Sequence, residues 1–205
     1  MINLFSYLGN IYIDTFLGLE VKGFSDQIFW YLVRTTGIVS VFTLSSSIAL
    51  GFLTSSRMLG PKPSIPWLID LHRFLSSITM ILILLHLIGL WADNFTSFSL
   101  ADLLIPFQSD FLKKQNAITF GIIAFWMIVI VEMTSLIKTK LNTKIWHTVH
   151  LLSVPAVVLS ILHGYKIGSD ADNPVLIGIT TTAITALSLL IIVRLLIKAR
   201  NSAEF

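Results

Sequence analysis

Apolar residues run along this chain in stretches long enough to cross a bilayer, and polar residues gather between them. The uninterrupted apolar stretches are 27–53, 67–91, 116–137, 145–165 and 174–197. A hydrocarbon core about 30 Å thick needs ~20 helical residues to span it, so each stretch is predicted to be a transmembrane helix. Ahead of them, Asn3, Ser6, Asn10 and Asp14 recur at helical spacing among Leu, Ile, Phe and Tyr. That stripe reads as an amphipathic helix on the outer membrane surface, with a marginal sixth span as the alternative. The expected fold is an all-α membrane protein: a bundle of five transmembrane helices plus an N-terminal amphipathic or marginal sixth helix. Residues 1–26 make the outer segment, 27–198 the membrane domain and 199–205 a short cytoplasmic tail. The longest loop, 92–114, carries an apolar stretch at 103–106 expected to rest on the interface or on a partner.

Composition narrows the function. Only 12% of residues are charged, against roughly 25% in soluble chains, and the connections are too short for a soluble catalytic domain. No glycine fingerprint for a dinucleotide and no phosphate-cradling loop occurs. With no cysteine in the chain, iron–sulfur clusters, thiolate haem ligation and disulfides are excluded. The net charge of +3 is explained by placement and does not call for a nucleic-acid partner. Arg57 and Lys62, then Lys138, Lys140 and Lys144, then Lys198 and Arg200 fall on one side. Asp93, Asp102 and Asp110 (against Lys113 and Lys114), then Asp170 and Asp172 (against Lys166), fall on the other. The positive-inside rule therefore puts the C-terminus in the cytoplasm of a multi-pass cell-membrane protein.

All five histidines lie in two spans: His72 and His86 in the second, His147, His150 and His163 in the fourth. Titratable groups inside a membrane are costly and are functional candidates by default. A rise of 1.5 Å per residue separates His72 from His86 by about 21 Å, and His150 from His163 by about 20 Å. Both helices run the same way, so His72 lies at the depth of His150 and His86 at that of His163. Two imidazoles facing across a porphyrin make a six-coordinate haem, suited to electron transfer. Zinc, which wants about four close ligands, fits less well. Rotation agrees for one pair only: at 100° per residue His72 and His86 differ by about 40°, whereas His150 and His163 differ by about 140°. Pro155 lies between the latter two, and a proline kink is the expected correction. The competing reading of any one histidine is a hydrogen-bonded packing residue. His147, one turn before His150 and beside Trp146, is read as an interfacial or haem-edge residue and not a ligand.

The stretches LHRFLSSITMILILLHL and WHTVHLLSVPAVVLSILHGY, with YLVRTTG in the first span, resemble the ferric reductase-like transmembrane family. That family includes the membrane parts of ferric reductases and NADPH oxidases, and the haem-binding subunit of the periplasmic methionine sulfoxide reductase system. The resemblance covers roughly residues 27–197. It implies an inner haem b held by His72 and His150 and an outer haem b held by His86 and His163, the histidines ligating the iron. Arg34, two turns inside the outer face, would be expensive unpaired; a haem propionate and simple snorkelling are its two readings. Arg73, next to His72, carries the same pair of readings for the inner haem, and Lys166 is more ambiguous. Gly37, Gly89 and Gly164 are candidates for close approach of a porphyrin, although glycine is common at helix contacts in membranes.

The expected function is a di-haem b cytochrome subunit carrying electrons across the membrane from a separate donor, a flavoprotein or quinol, to an outer acceptor. In the family's oxidases a flavin and nicotinamide domain follows the membrane part, whereas this chain runs only seven residues past Lys198. A subunit of an oxidoreductase is therefore expected. The alternatives are a quinol-linked membrane anchor of a respiratory complex, with quinone as a further cofactor, and a non-redox transport or assembly subunit. Beyond the lipid bilayer, the expected partners are the donor and an outer-side acceptor or larger membrane complex.

Overall fold

The computed structural model describes residues 24–55, 65–93, 97–109 and 114–167, with eight scattered positions between 174 and 192. Every element assigned among them is helical: α1 (Phe24–Ser55), α2 (Ile65–Ala92), the short α3 (Leu100–Leu104), α4 (Gln115–Leu136), a 3₁₀ turn (Lys138–Lys140), α5 (Thr143–His150) and α6 (Ser153–Ile167). Four stretches are long and apolar enough to cross a membrane: Ile28–Thr54, Pro66–Ala92, Gln115–Leu136 and Thr143–Ile167. They match the first four expected spans. The expected fifth, 174–197, is described only at the scattered positions, each of them helical. Most of the expected N-terminal segment and all of the tail lie outside the described residues, as do Arg57, Lys62 and the acids of the last loop.

Side chains are sorted in the sense expected in lipid. Phe42, Phe74, Ile81, Ile88, Ile130 and Met133 face outward, where acyl chains solvate them. Thr36, Ser40, Thr43 and Ser47 of α1 are buried instead, on the face toward α2. Small residues let helix backbones approach where no hydrophobic effect drives them together, and their hydroxyls bond locally or across the interface. Thr36, Ser40 and Thr43 return theirs to carbonyls one turn back. Thr79 of α2, 1% exposed, donates across to Thr43 Oγ1 at 2.8 Å. α1 and α2 pack antiparallel along their length and α4 packs against α6; α1 also meets α6. An apolar core of Leu44, Ile48, Ile128, Ala156 and Val157 joins the two helix pairs, extended by Met80, Ile83 and Ile161.

The long loop folds onto its own chain. Ser99 and Asp102 form a reciprocal capping box that starts α3, and Leu103 is buried. Trp126 Nε1 donates to the Leu104 carbonyl at 2.9 Å, and the Phe107 amide donates to Thr119 Oγ1 at 3.1 Å. Of the two expectations for 103–106, an interface or a partner, Leu103 meets neither, because its own helix bundle covers it.

The fourth span is broken and not merely kinked. Proline at 155 has no N–H for the Leu151 carbonyl. The Val154 amide takes that carbonyl instead, at 3.1 Å, and the Leu152 amide reaches Val149 at 3.0 Å. These are i→i+3 bonds, so the chain over-winds between α5 and α6, advancing about 20° per residue beyond the α value. Ser153 Oγ takes the bypassed His150 carbonyl at 2.8 Å. Over-winding closes part of the phase error of about 140° expected on an ideal helix. The change of helix at Leu151 and Leu152 accommodates the rest.

Candidate functional site

α2 contributes His72 and His86, the α5–α6 span contributes His150 and His163, and these two segments hardly touch each other. Across the gap between them the rings meet in pairs. The His72 and His150 ring centres are 6.0 Å apart with planes at 64°; those of His86 and His163 are 6.4 Å apart at 86°. A metal–imidazole bond of about 2.0 Å plus ~1.1 Å to the ring centre puts two opposed rings ~6.2 Å apart across one ion, whereas a tetrahedral angle would bring them to ~5 Å. The observed separations of 6.0 and 6.4 Å lie nearer the first of these values. Among the described residues no three His, Cys, Asp or Glu side chains converge, so each pair offers two protein ligands, the number a six-coordinate haem takes.

The far side of each ring decides which nitrogen faces inward. His86 Nδ1 donates to the Val33 carbonyl, His72 Nδ1 to the Ser47 carbonyl and His163 Nδ1 to the Ala117 carbonyl, each at 2.8 Å. A carbonyl only accepts, so Nδ1 carries the proton in these three and the bare Nε2 is left for a metal. This is the tautomer and outer-shell bond typical of ligating histidines. Ser47 Oγ also lies 3.0 Å from His72 Nδ1 and 3.3 Å from Ser76 Oγ. His150 differs: its Nδ1 meets Ser135 Oγ at 3.3 Å.

Why those carbonyls are reachable is visible one turn along. Helical Cβ atoms tilt toward the N-terminus, so the side chain at i+4 covers the carbonyl of residue i. Val33, Ser47 and Ala117 are each followed four residues later by glycine: Gly37, Gly51 and Gly121. A Cβ on Gly37 would meet the His86 ring at 3.2 Å, one on Gly51 the His72 ring at 3.4 Å, and one on Gly121 the His163 ring at 2.7 Å. The rings lie where these side chains are missing.

Other expected residues sort clearly. Arg34 follows Val33 and stacks its guanidinium over Trp30, 4.7 Å from the ring centre. Arg73 has a side chain that is 72% exposed and loosely paired with Asp70, at 3.8 Å. Lys166 lies 6.0 Å above the Phe120 ring. His147 is exposed, its ring 6.4 Å from that of Trp146. Gly89 serves the α1–α2 contact, where a Cβ would meet Val33 at 2.8 Å, and Gly164 has nothing within 4 Å.

Four features escaped the sequence reading. Gly51 and Gly121 were legible in principle, since Gly37 and Gly51 repeat the spacing of His72 and His86. Ser135 has no comparable mark. Glu132, half-buried one turn before Ser135, lies within electrostatic range of His72. At the same end Trp146 stacks on His150 with ring centres 5.0 Å apart and Lys138 Nζ sits 4.0 Å above its indole. The indole N–H is buried without a partner among the described residues.

Residues 36–161, more than half of the chain, match the family described as ferric reductase like transmembrane component. No curated protein and no solved structure matches significantly.

Proposed function

Because the chain belongs to the ferric reductase-like transmembrane family, a group of membrane electron-transfer components, we propose that it is a di-haem b cytochrome subunit. His72 and His150 hold the inner haem, His86 and His163 the outer, in a domain spanning 27–198 with five transmembrane helices. The observation that carries this reading is the facing of two ring pairs at 6.0 and 6.4 Å, with three of the four Nδ1 atoms tied to carbonyls.

A bound bis-imidazole haem supplies a one-electron relay with no open iron position. The chain does the rest. Its carbonyls fix the histidine tautomers and add basicity to the ligands. Gly37, Gly51 and Gly121 admit the rings, and the apolar layer of Leu44, Ile48, Ile128 and Val157 lies between the two histidine levels and keeps water out. Lys138, Lys140 and Lys144 mark the cytoplasmic end by the positive-inside rule, which makes His72–His150 the entry pair. A separate flavoprotein or a quinol would serve as donor on the side of that pair, and an outer acceptor would stand on the side of His86 and His163. Arg34, beside Val33, is the candidate partner for a propionate of the outer haem; exposure of Arg73 argues against the same role at the inner one.

The deciding experiment is a reduced-minus-oxidised visible spectrum of the detergent-purified chain with haem quantified per polypeptide. Sharp low-spin b-type bands at about two haems per chain are expected from two bis-histidine sites. Protein made with ample haem supply yet purified without any would end the proposal and favour a transport or assembly role.

A further inference from the structure

The four paired histidines obey one rule three times and break it once. For His72, His86 and His163 the neighbouring helix presents a carbonyl at residue i and glycine at i+4, and Nδ1 donates to the carbonyl at 2.8 Å. On α1 the two glycines, Gly37 and Gly51, repeat the spacing of His72 and His86 on α2. On α4 the same spacing from Gly121 calls for a glycine at 135, and serine stands there. The carbonyl that glycine would have uncovered, that of Val131, receives the Thr134 hydroxyl at 3.0 Å. His150 Nδ1 meets the Ser135 hydroxyl at 3.3 Å instead.

We propose that Ser135 is the positioning residue of the inner site, standing where the repeat has glycine and replacing the carbonyl acceptor of His150 with a hydroxyl, so that the inner haem is easier to reduce than a carbonyl-anchored one would be. This rests on the di-haem reading. Its Cβ keeps the ring off the Val131 carbonyl, and its hydroxyl is the only polar atom bonded to Nδ1 among the described residues. A hydrogen bond from Nδ1–H pushes electron density through the imidazole onto the metal and stabilises the ferric state, more strongly the shorter the bond. The 3.3 Å separation puts this bond at the weak end of the range. A hydroxyl also serves as donor or acceptor, so His150 is the one ligand whose partner does not dictate its tautomer. What else steadies the ring is the Trp146 indole stacked 5.0 Å away, a contact that orients without polarising Nδ1.

Two substitutions separate a hydrogen-bonding role from a packing role because they move the potential in opposite directions. Ser135→Gly uncovers the Val131 carbonyl, lets His150 adopt the arrangement of the other three and lowers one midpoint potential. Ser135→Ala keeps the Cβ, removes the hydroxyl, raises that same midpoint and adds a high-spin fraction as the ligand loosens. Ser135→Thr retains the hydroxyl and leaves the potential near the wild-type value. Each variant is purified as the full chain, its haem counted, and both midpoints followed by potentiometric titration in the visible with low-temperature paramagnetic resonance. Shifts of the same sign for Gly and Ala, or no shift in either, overturn the assignment while two haems per chain leave the cytochrome reading standing. If the glycine variant fails to accumulate, Ala against Thr decides: a shift in Ala alone supports the role of the hydroxyl, and equal behaviour refutes it. A wild-type chain without haem defeats the underlying reading and is recognised before any variant is compared.

Discussion

An alanine at Gly121 brings a methyl group to 2.7 Å from Nδ1, 2.9 Å from Cε1 and 3.0 Å from Cγ of His163. No rotamer relieves this, because the Cβ position is fixed by the backbone and the obstacle is a ring held at both ends. The ring must retreat, and its 2.8 Å bond to the Ala117 carbonyl goes with it. Overpacking of this kind costs about 1–3 kcal/mol, and the lost hydrogen bond adds ~1 kcal/mol. With about 1.4 kcal/mol to each tenfold change in affinity, the outer haem should bind tens to several hundred times more weakly. The same clash is milder at Gly37, 3.2 Å from the His86 ring, and at Gly51, 3.4 Å from the His72 ring, it shrinks to ordinary van der Waals contact. Haem retained per chain after purification and a dilution or haem-scavenging challenge should therefore rank Gly51→Ala above Gly37→Ala above Gly121→Ala. Gly164→Ala, with open space around it, serves as the control and should match the parent chain. A Gly121→Ala protein that keeps both haems with an unaltered spectrum would show that the ring does not sit against this helix, and the geometric argument for the outer site would fail.

Removing ligands one at a time should split the four histidines into two groups. His86→Ala and His163→Ala should each leave about one haem per chain with the same residual spectrum, and His72→Ala and His150→Ala the complementary one; haem quantification and low-temperature spectra check this, and four unrelated phenotypes would contradict the pairing. Arg73→Ala should leave haem content and both potentials unchanged, since its exposed side chain pairs with Asp70 at 3.8 Å, a surface pair of little worth; a lost haem would instead favour the propionate-partner reading. Thr79→Val should lower stability in detergent by ~0.6–1.7 kcal/mol, the range for interhelical hydrogen bonds in membranes, seen as earlier loss of helical signal on denaturation. Combining it with Thr43→Val should cost less than the sum, because the two hydroxyls share one bond.

The sequence carried the architecture more fully than the fine structure of the site. Helices were legible because lipid demands apolar length, and the four spans among the described residues fall within a few positions of the apolar stretches. Pairing of histidines by depth was legible because helical rise is constant. What failed was phase. An ideal helix puts His150 and His163 on different faces, and Pro155 advertised a disturbance without stating its form: two i→i+3 bonds and a change of helix. Glycine roles were hidden for a related reason. Gly37, Gly51 and Gly121 matter through a ring on another helix, whereas Gly89 and Gly164 look the same in one dimension and do unrelated things. Ser135 was the least visible, since a serine is informative there only once three glycines have set the rule. Arg73, next to His72 along the chain and so about 100° around the helix, is exposed and pairs with Asp70 at 3.8 Å, which is compatible with the snorkelling reading.

The gap between α2 and α6 bears on how such a protein is made. The four ring-bearing positions sit on segments that hardly approach one another, while each segment is well packed against its own neighbour, α1 or α4. The two helix pairs are therefore held together by the α1–α6 contact and the shared apolar core, while the ring-bearing faces stay apart. A cofactor binding only the joined form adds ~2.7 kcal/mol of cohesion at a hundredfold excess over its dissociation constant, twice over for two sites. On the di-haem proposal, haem supply would act as a quality-control signal during biogenesis: chains that capture it would gain a second clamp across this gap, and chains that do not would be held by the apolar core alone.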